Sequence, residues 1–122
     1  MFIKLDRDYE VKTTLGTIRD IEKSFNKPFF DVVNEISKMK MDDQMRLLYI
    51  GAKKADNNLT QEDFFSKCEE YLGIGDLFEY LEKYFYSLQY PGLSDEEVQS
   101  KIQKKLQQSR DMQQNRALTG NP

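Results

Sequence analysis

The side chains that most often carry chemistry are scarce in this chain. It has no histidine. That removes the usual general base, any Ser-His or Cys-His pair, and the commonest transition-metal ligand. The single cysteine, Cys68, lies between Phe64/Phe65 and Tyr71/Leu72 at helical spacing, where a small packed apolar residue is the simpler reading than a reactive thiol. One cysteine permits neither an internal disulfide nor a thiolate cluster, and it fits a reducing cytoplasm. Carboxylates are plentiful, but Glu69-Glu70, Glu79 with Glu82, and Asp95-Glu96-Glu97 are what exposed helix faces and first turns carry. Asp56-Asn57-Asn58 has the residue types of a calcium loop without its glycine or closing glutamate, so it reads as a turn. Gly73-Ile74-Gly75 follows a helix rather than a strand and lacks the Lys-Ser/Thr pair of a phosphate loop. No catalytic, cofactor or metal residue is expected, and the chain reads as a non-enzyme.

Charge narrows the partners. With 18 basic and 21 acidic side chains and a formal charge of −3, the balance argues against duplex-wide phosphate binding, which needs a concentrated basic surface, and leaves room for a small basic patch. Lys53-Lys54 and Lys104-Lys105 are isolated basic pairs, most simply on solvated faces. The opening MFIKLDRDYE is charged within its first few residues and has no signal-peptide apolar region. No stretch approaches the roughly 18 apolar residues of a membrane span. A soluble cytosolic protein that meets neither nucleic acid nor membrane is expected.

The elements follow from the hydrophobic period. In FIKL and YEVKTT, apolar or β-branched residues alternate with charged ones: Phe2 and Lys4, then Tyr9, Val11 and Thr13 against Glu10 and Lys12. Asp6-Arg7-Asp8 makes the turn of a hairpin that lacks an Asn-Gly or Asp-Gly pair. From Thr14 the period becomes helical: Leu15, Ile18, Ile21 (or Glu22) and Phe25 form one stripe, ended near Asn26 because Pro28 cannot continue it. Pro28 opens a second helix with Phe29, Val32, Val33 and Ile36 inside. A third, with Asp42 as expected N-cap, carries Met45, Leu48, Tyr49, Ala52 and Ala55. Thr60-Gln61-Glu62-Asp63 caps a fourth through Phe64, Phe65, Cys68, Tyr71 and Leu72. The fifth contains FEYLEKYFYSLQY.

That aromatic helix divides by angle. At about 100° per residue, Leu77, Leu81, Tyr84 and Leu88 cluster, with Phe78 and Phe85 on one flank and Tyr80 on the other; these seven read as core. Tyr86 and Tyr90 fall on the opposite side with Glu79, Glu82 and Lys83. A tyrosine there brings a large area and a polar tip, which suits partner contact. Either the last helix covers them or they are held out for a client.

Composition changes at Pro91-Gly92, after which no aromatic residue occurs. Ser94-Asp95-Glu96-Glu97 is a capping box for a last helix whose regular apolar positions are Val98, Ile102 and Leu106. Such a narrow stripe docks on a core or pairs with another helix; past Gln108 the chain is expected to fray. The expected fold is mainly α: a compact bundle of about five helices with a short N-terminal β-hairpin over residues 1–90, then an amphipathic helix and flexible Gln-rich tail over 91–122. The candidate partner surface is Tyr86, Tyr90, Val98, Ile102 and Leu106.

In this order the elements resemble the tail assembly chaperones of long-tailed (siphovirus-type) bacteriophages. The likeness runs over roughly residues 1–90. It is carried by the charged hairpin MFIKLDRDYEVKTT, by IRDIEKSFNKPFFDVV with its Glu-Lys-x-x-x-Lys-Pro passage between helices, and by MDDQMRLLYIGAKKADNNLTQEDF, where an apolar helix ending Gly-Ala-Lys leads to a Leu-Thr-x-Glu-Asp cap. The richness in Tyr and Phe around 78–90 exceeds the family's usual pattern.

The resemblance implies a chaperone that binds the long, helical tape measure protein and keeps it soluble until tail tube subunits polymerise around it. It implies residence in the host cytoplasm and absence from the mature virion. Many such proteins also occur as a longer form made by ribosomal frameshifting, whose extra domain recruits tail tube protein; in this chain the extension would join the Gln-rich end from about Ser100. The matching mechanism is helix-in-groove binding by many copies along one client, with self-association a further option. Competing readings are a small helical structural phage component (head–tail connector or completion protein) and a helical regulator.

Overall fold

The alternation at the N-terminus does produce a hairpin. In the computed structural model, which describes residues 1–105 and 107, β1 (Phe2–Lys4) pairs antiparallel with β2 (Asp8–Glu10), with Ile3 opposite Tyr9. Ile3, Leu5, Tyr9 and Val11 form the buried face, while Phe2 turns out to solvent. Side chains hold the turn where no Asn-Gly pair does. The Tyr9 hydroxyl donates to Asp6 Oδ1 at 2.8 Å, and the Arg7 guanidinium lies 4.0 Å over the Tyr9 ring. That hydrogen bond holds the Asp6 carboxyl below the usual carboxylate range, and burial pushes the Tyr9 phenol up.

Two threonines convert strand into helix. Thr14 caps α1 (Leu15–Phe25) by accepting from the Thr17 N–H. Buried Thr17 donates to the Lys12 carbonyl at 2.8 Å, so the cap also ties the helix to the chain leaving the hairpin. Asn26 ends α1 in the left-handed region (φ 52°), where asparagine is among the few non-glycine residues at ease. After Pro28, α2 (Phe29–Glu35) runs into a single 3-10 turn, Ile36–Lys38.

The helix α3 (Met41–Ala55) begins one residue before the expected cap, with Lys40 at the N-cap position and Asp42 inside the first turn. The reason lies in Gln44. Its side-chain amide donates back to the carbonyls of Ile36 (3.0 Å) and Met39 (3.3 Å), which fixes where the preceding turn stops. Asp42 still lies where a negative charge meets the positive end of the helix dipole.

Thr60 caps α4 (Gln61–Tyr71) as its sequence indicates, accepting from the Asp63 N–H. Asp76 accepts the Gly73 N–H at the start of α5 (Ile74–Gln89). Asp56 forms an Asx-type turn with the Asn58 N–H, the structural role expected of that run.

Packing centres on α3, which touches α1, α4, α5 and β2. Leu47 and Leu48 are fully buried, as are Ile21, Val32, Phe64 and Tyr84 from its neighbours. Phe64 meets Tyr9 and Tyr49 with ring centroids 6.0 and 5.9 Å apart, and Phe29 meets Phe85 at 6.0 Å. These spacings are those of favourable edge or tilted aromatic pairs.

Among the described glycines, Gly51 has the tightest surroundings. A Cβ there would stand 2.5 Å from Val11 Cγ1 and 2.9 Å from the Tyr84 hydroxyl. Only glycine lets the chain after β2 lie on α3, where the Lys12 N–H donates to the Gly51 carbonyl at 3.0 Å.

These elements, Met1–Gly92, form one compact unit, and the chain from Leu93 forms a second. Gly92 has φ +95°, a conformation that side-chain-bearing residues rarely adopt. In the second unit α6 spans 95–105. It is capped as its sequence indicates: the Glu97 N–H donates to Ser94 Oγ, and Ser94 Oγ donates to the Glu97 carboxylate, each at 3.2 Å. No helix among the described residues is long and apolar enough to cross a membrane.

Candidate partner-binding surface

The core face of α5 lies largely where its angles put it. Leu77, Leu81, Tyr84, Phe85 and Leu88 are buried, and Tyr80 is half-buried, its hydroxyl accepting the Lys4 N–H at 3.2 Å. Phe78 is a correction: it is 46% exposed. It sits at the margin of a broad apolar face, near the helix start, and the core does not extend over it.

Of the candidate partner residues, Tyr86 and Tyr90 come together. Their rings stack with centroids 6.5 Å apart and 26° between planes, an i, i+4 pair; Tyr86 is half-buried and Tyr90 exposed. Val98 and Ile102 lie on one face of α6 and are both buried. Leu106 and the expected fraying past Gln108 lie outside the described residues.

Around Tyr90 the structure adds what the helix wheel missed. A groove of about 500 Å³ is walled by Leu15 and Ile18 of α1, Pro28, Phe29 and Phe30 at the start of α2, Leu88 of α5 and Tyr90 at its C-cap. Leu15 and Phe30 are 78% and 64% exposed, among the most exposed large apolar side chains of the fold. Leu15 is the first residue of α1 and extends that helix's apolar stripe beyond the packed core. Phe30 follows Phe29 directly. Neighbouring helical residues point about 100° apart, and here the core takes Phe29, 5% exposed, and leaves Phe30 outside.

The groove's polar groups are few and partly committed. The Glu22 carboxylate accepts the Phe29 N–H at 2.9 Å and thereby caps α2. Outside the groove lining, Lys27 pairs with Glu35, which raises the Lys27 ammonium pKa. What remains open is a cleft of leucine, isoleucine and aromatic surface whose one charged lining residue is Glu22.

A second, smaller cleft of about 270 Å³ lies between α3, α4 and the start of α5, lined by Met41, Met45, Cys68, Leu72, Ile74 and Leu77 with Asp42 and Glu69. Cys68 is buried there, and burial, helped by the neighbouring Glu69 charge, pushes its thiol up to about 12. It is a packed, protonated thiol and not a nucleophile at neutral pH. Among the described residues no cluster of three or more Cys, Asp or Glu could hold a metal ion.

Fold and surface together define a small helical domain with an N-terminal hairpin and open apolar clefts. In comparisons with known proteins the chain matches no family model, no curated protein and no solved structure. The residues carrying the phage-chaperone resemblance have structural tasks here: Glu22 caps α2, Lys27 pairs across the turn, Gly51 admits the hairpin, and Thr60 caps α4.

Proposed function

We propose that this protein is a phage tail assembly chaperone that binds the tape measure protein, keeps it soluble and helps bring tail tube subunits to it in the host cytoplasm. The observation that supports a helix-binding role is the groove between α1, α2 and α5, where Leu15, Phe30 and Tyr90 expose a contiguous apolar surface within a well-packed unit. Apolar surface of that kind on a small domain marks an interaction site, and i, i+3/i+4 anchors of a client helix fit such a cleft. The choice of client rests on the ordered sequence resemblance. Many copies, each holding the client weakly, would coat a long helix by avidity. The surface offered to the client by the first unit is carried by Leu15, Phe30 and Tyr90, with Tyr86 stacked on Tyr90.

Co-expression with the tape measure protein of the same genome tests this. Wild type should keep the client in the soluble fraction. Leu15→Asp with Phe30→Asp should lose it while remaining folded, and Tyr86→Ala with Tyr90→Ala should weaken it. Undiminished solubilisation by the first variant would remove the groove from the function.

A further inference from the structure

The cleft between α3, α4 and α5 differs from the client groove in its charge. Its walls are apolar (Met41, Met45, Ile74 and Leu77), and the two charged residues lining it, Asp42 and Glu69, are both acidic. Some exposed carboxylates elsewhere in the fold are held in ion pairs: Asp20 by Lys54, Glu35 by Lys27, Asp43 by Arg46, and Asp6 by Lys67. Asp42 and Glu69 have no ion-pair or hydrogen-bond partner among the described residues. Met41 and Ile74 stand at 41% and 61% exposure, so apolar wall and acidic charge are offered to solvent together. The volume, about 270 Å³, lies below the roughly 300–1,000 Å³ of small-molecule sites and suits one or two side chains. Methionine walls adapt readily to an inserted apolar group.

We propose that this cleft docks a basic amphipathic segment: an apolar side chain enters between Met41, Met45 and Ile74 while Lys or Arg residues beside it meet Asp42 and Glu69. The charge complementarity selects this occupant over an acidic or purely apolar one. The site is separate from the client groove and does not depend on the identity of the client.

Two synthetic helical peptides test it, identical in their leucine anchors but carrying either Lys or Glu at the flanking positions. The five methionines provide methyl NMR reporters, with Met41 and Met45 assigned by Met→Leu substitution. The Lys peptide should shift the Met41 and Met45 methyl signals and bind about tenfold tighter than the Glu peptide at low salt, the preference shrinking as salt rises. Asp42→Lys with Glu69→Lys should reverse the preference. Equal affinity for both peptides, or a Lys peptide that binds without moving Met41 and Met45, overturns the proposal. The wild-type titrations decide the matter even if the double variant fails to fold.

Discussion

Tyr84 and Tyr90 stand in the same short stretch of sequence and live in opposite surroundings. Tyr84 is fully buried, its hydroxyl lying over the Gly51 backbone without completing a hydrogen bond, and burial pushes that phenol far above its usual range. Tyr90 is 46% exposed and walls an open groove with Leu15 and Phe30. The first region is closed by a glycine with no room for one more carbon. The second leaves three large apolar residues only partly covered. The hydrophobic effect alone would favour closing both. The contrast sets a closely packed hairpin–α3–α5 heart against an α1–α2–α5 end where large apolar side chains stay exposed, the end to which we assign the client.

Substitutions should separate the two regions by size of effect. Gly51→Val drives a branched side chain into Val11, the Tyr84 hydroxyl and the Lys12 carbonyl; it should cost about 3 kcal/mol or more in denaturant unfolding.

The Cys68 thiol, raised from 9.0 to about 12 in the fold, gives a pH test of the packed region. Its folded pKa lies above the unfolded one, so its contribution is intact below about pH 9 and is lost as pH rises toward 12. The slope approaches about 1.4 kcal/mol per pH unit in that window. Cys68→Ala should lack that part of the alkaline slope when stability is measured against pH.

Glu22→Ala removes the side-chain cap of α2 and should cost about 1 kcal/mol. Tyr84→Phe deletes a buried hydroxyl without a completed hydrogen bond; stability should change by less than about 1 kcal/mol, with stabilisation the more natural sign. Smallest of all, Leu15→Asp and Phe30→Asp should each move stability by no more than about 0.5 kcal/mol, because both sit in first turns of helices, where a carboxylate is favoured by the dipole. Were either to cost as much as Gly51→Val, the groove would be part of the packed heart and the contrast would fail.

The sequence made most of the packed heart readable and little of the groove. Hairpin, helix order and the caps at Thr60 and Ser94 were legible because they rest on local period and capping chemistry. The role of Gly51 was not, since a mid-helix glycine reads only as a weakness until the hairpin is seen lying on it. Asp42 was misplaced as a cap because a tertiary contact from Gln44 sets the start of α3. Leu15 and Phe78 follow the apolar stripes of their helices, but the stripe outruns the core near a helix start, and periodicity does not record where the neighbour stops. Tyr90 was found from its angle. Its companions Leu15 and Phe30 come from other helices, and a single wheel holds no information about them.

Site-specific photo-crosslinking tests the central claim most directly. A photoreactive phenylalanine analogue is placed at Phe30 in the groove, or at Tyr71, which is 47% exposed on α4, in cells making the tape measure protein. The account predicts crosslinks to the tape measure protein from position 30 and few or none from position 71. Equal yields from both positions, or crosslinks from 71 alone, would contradict it.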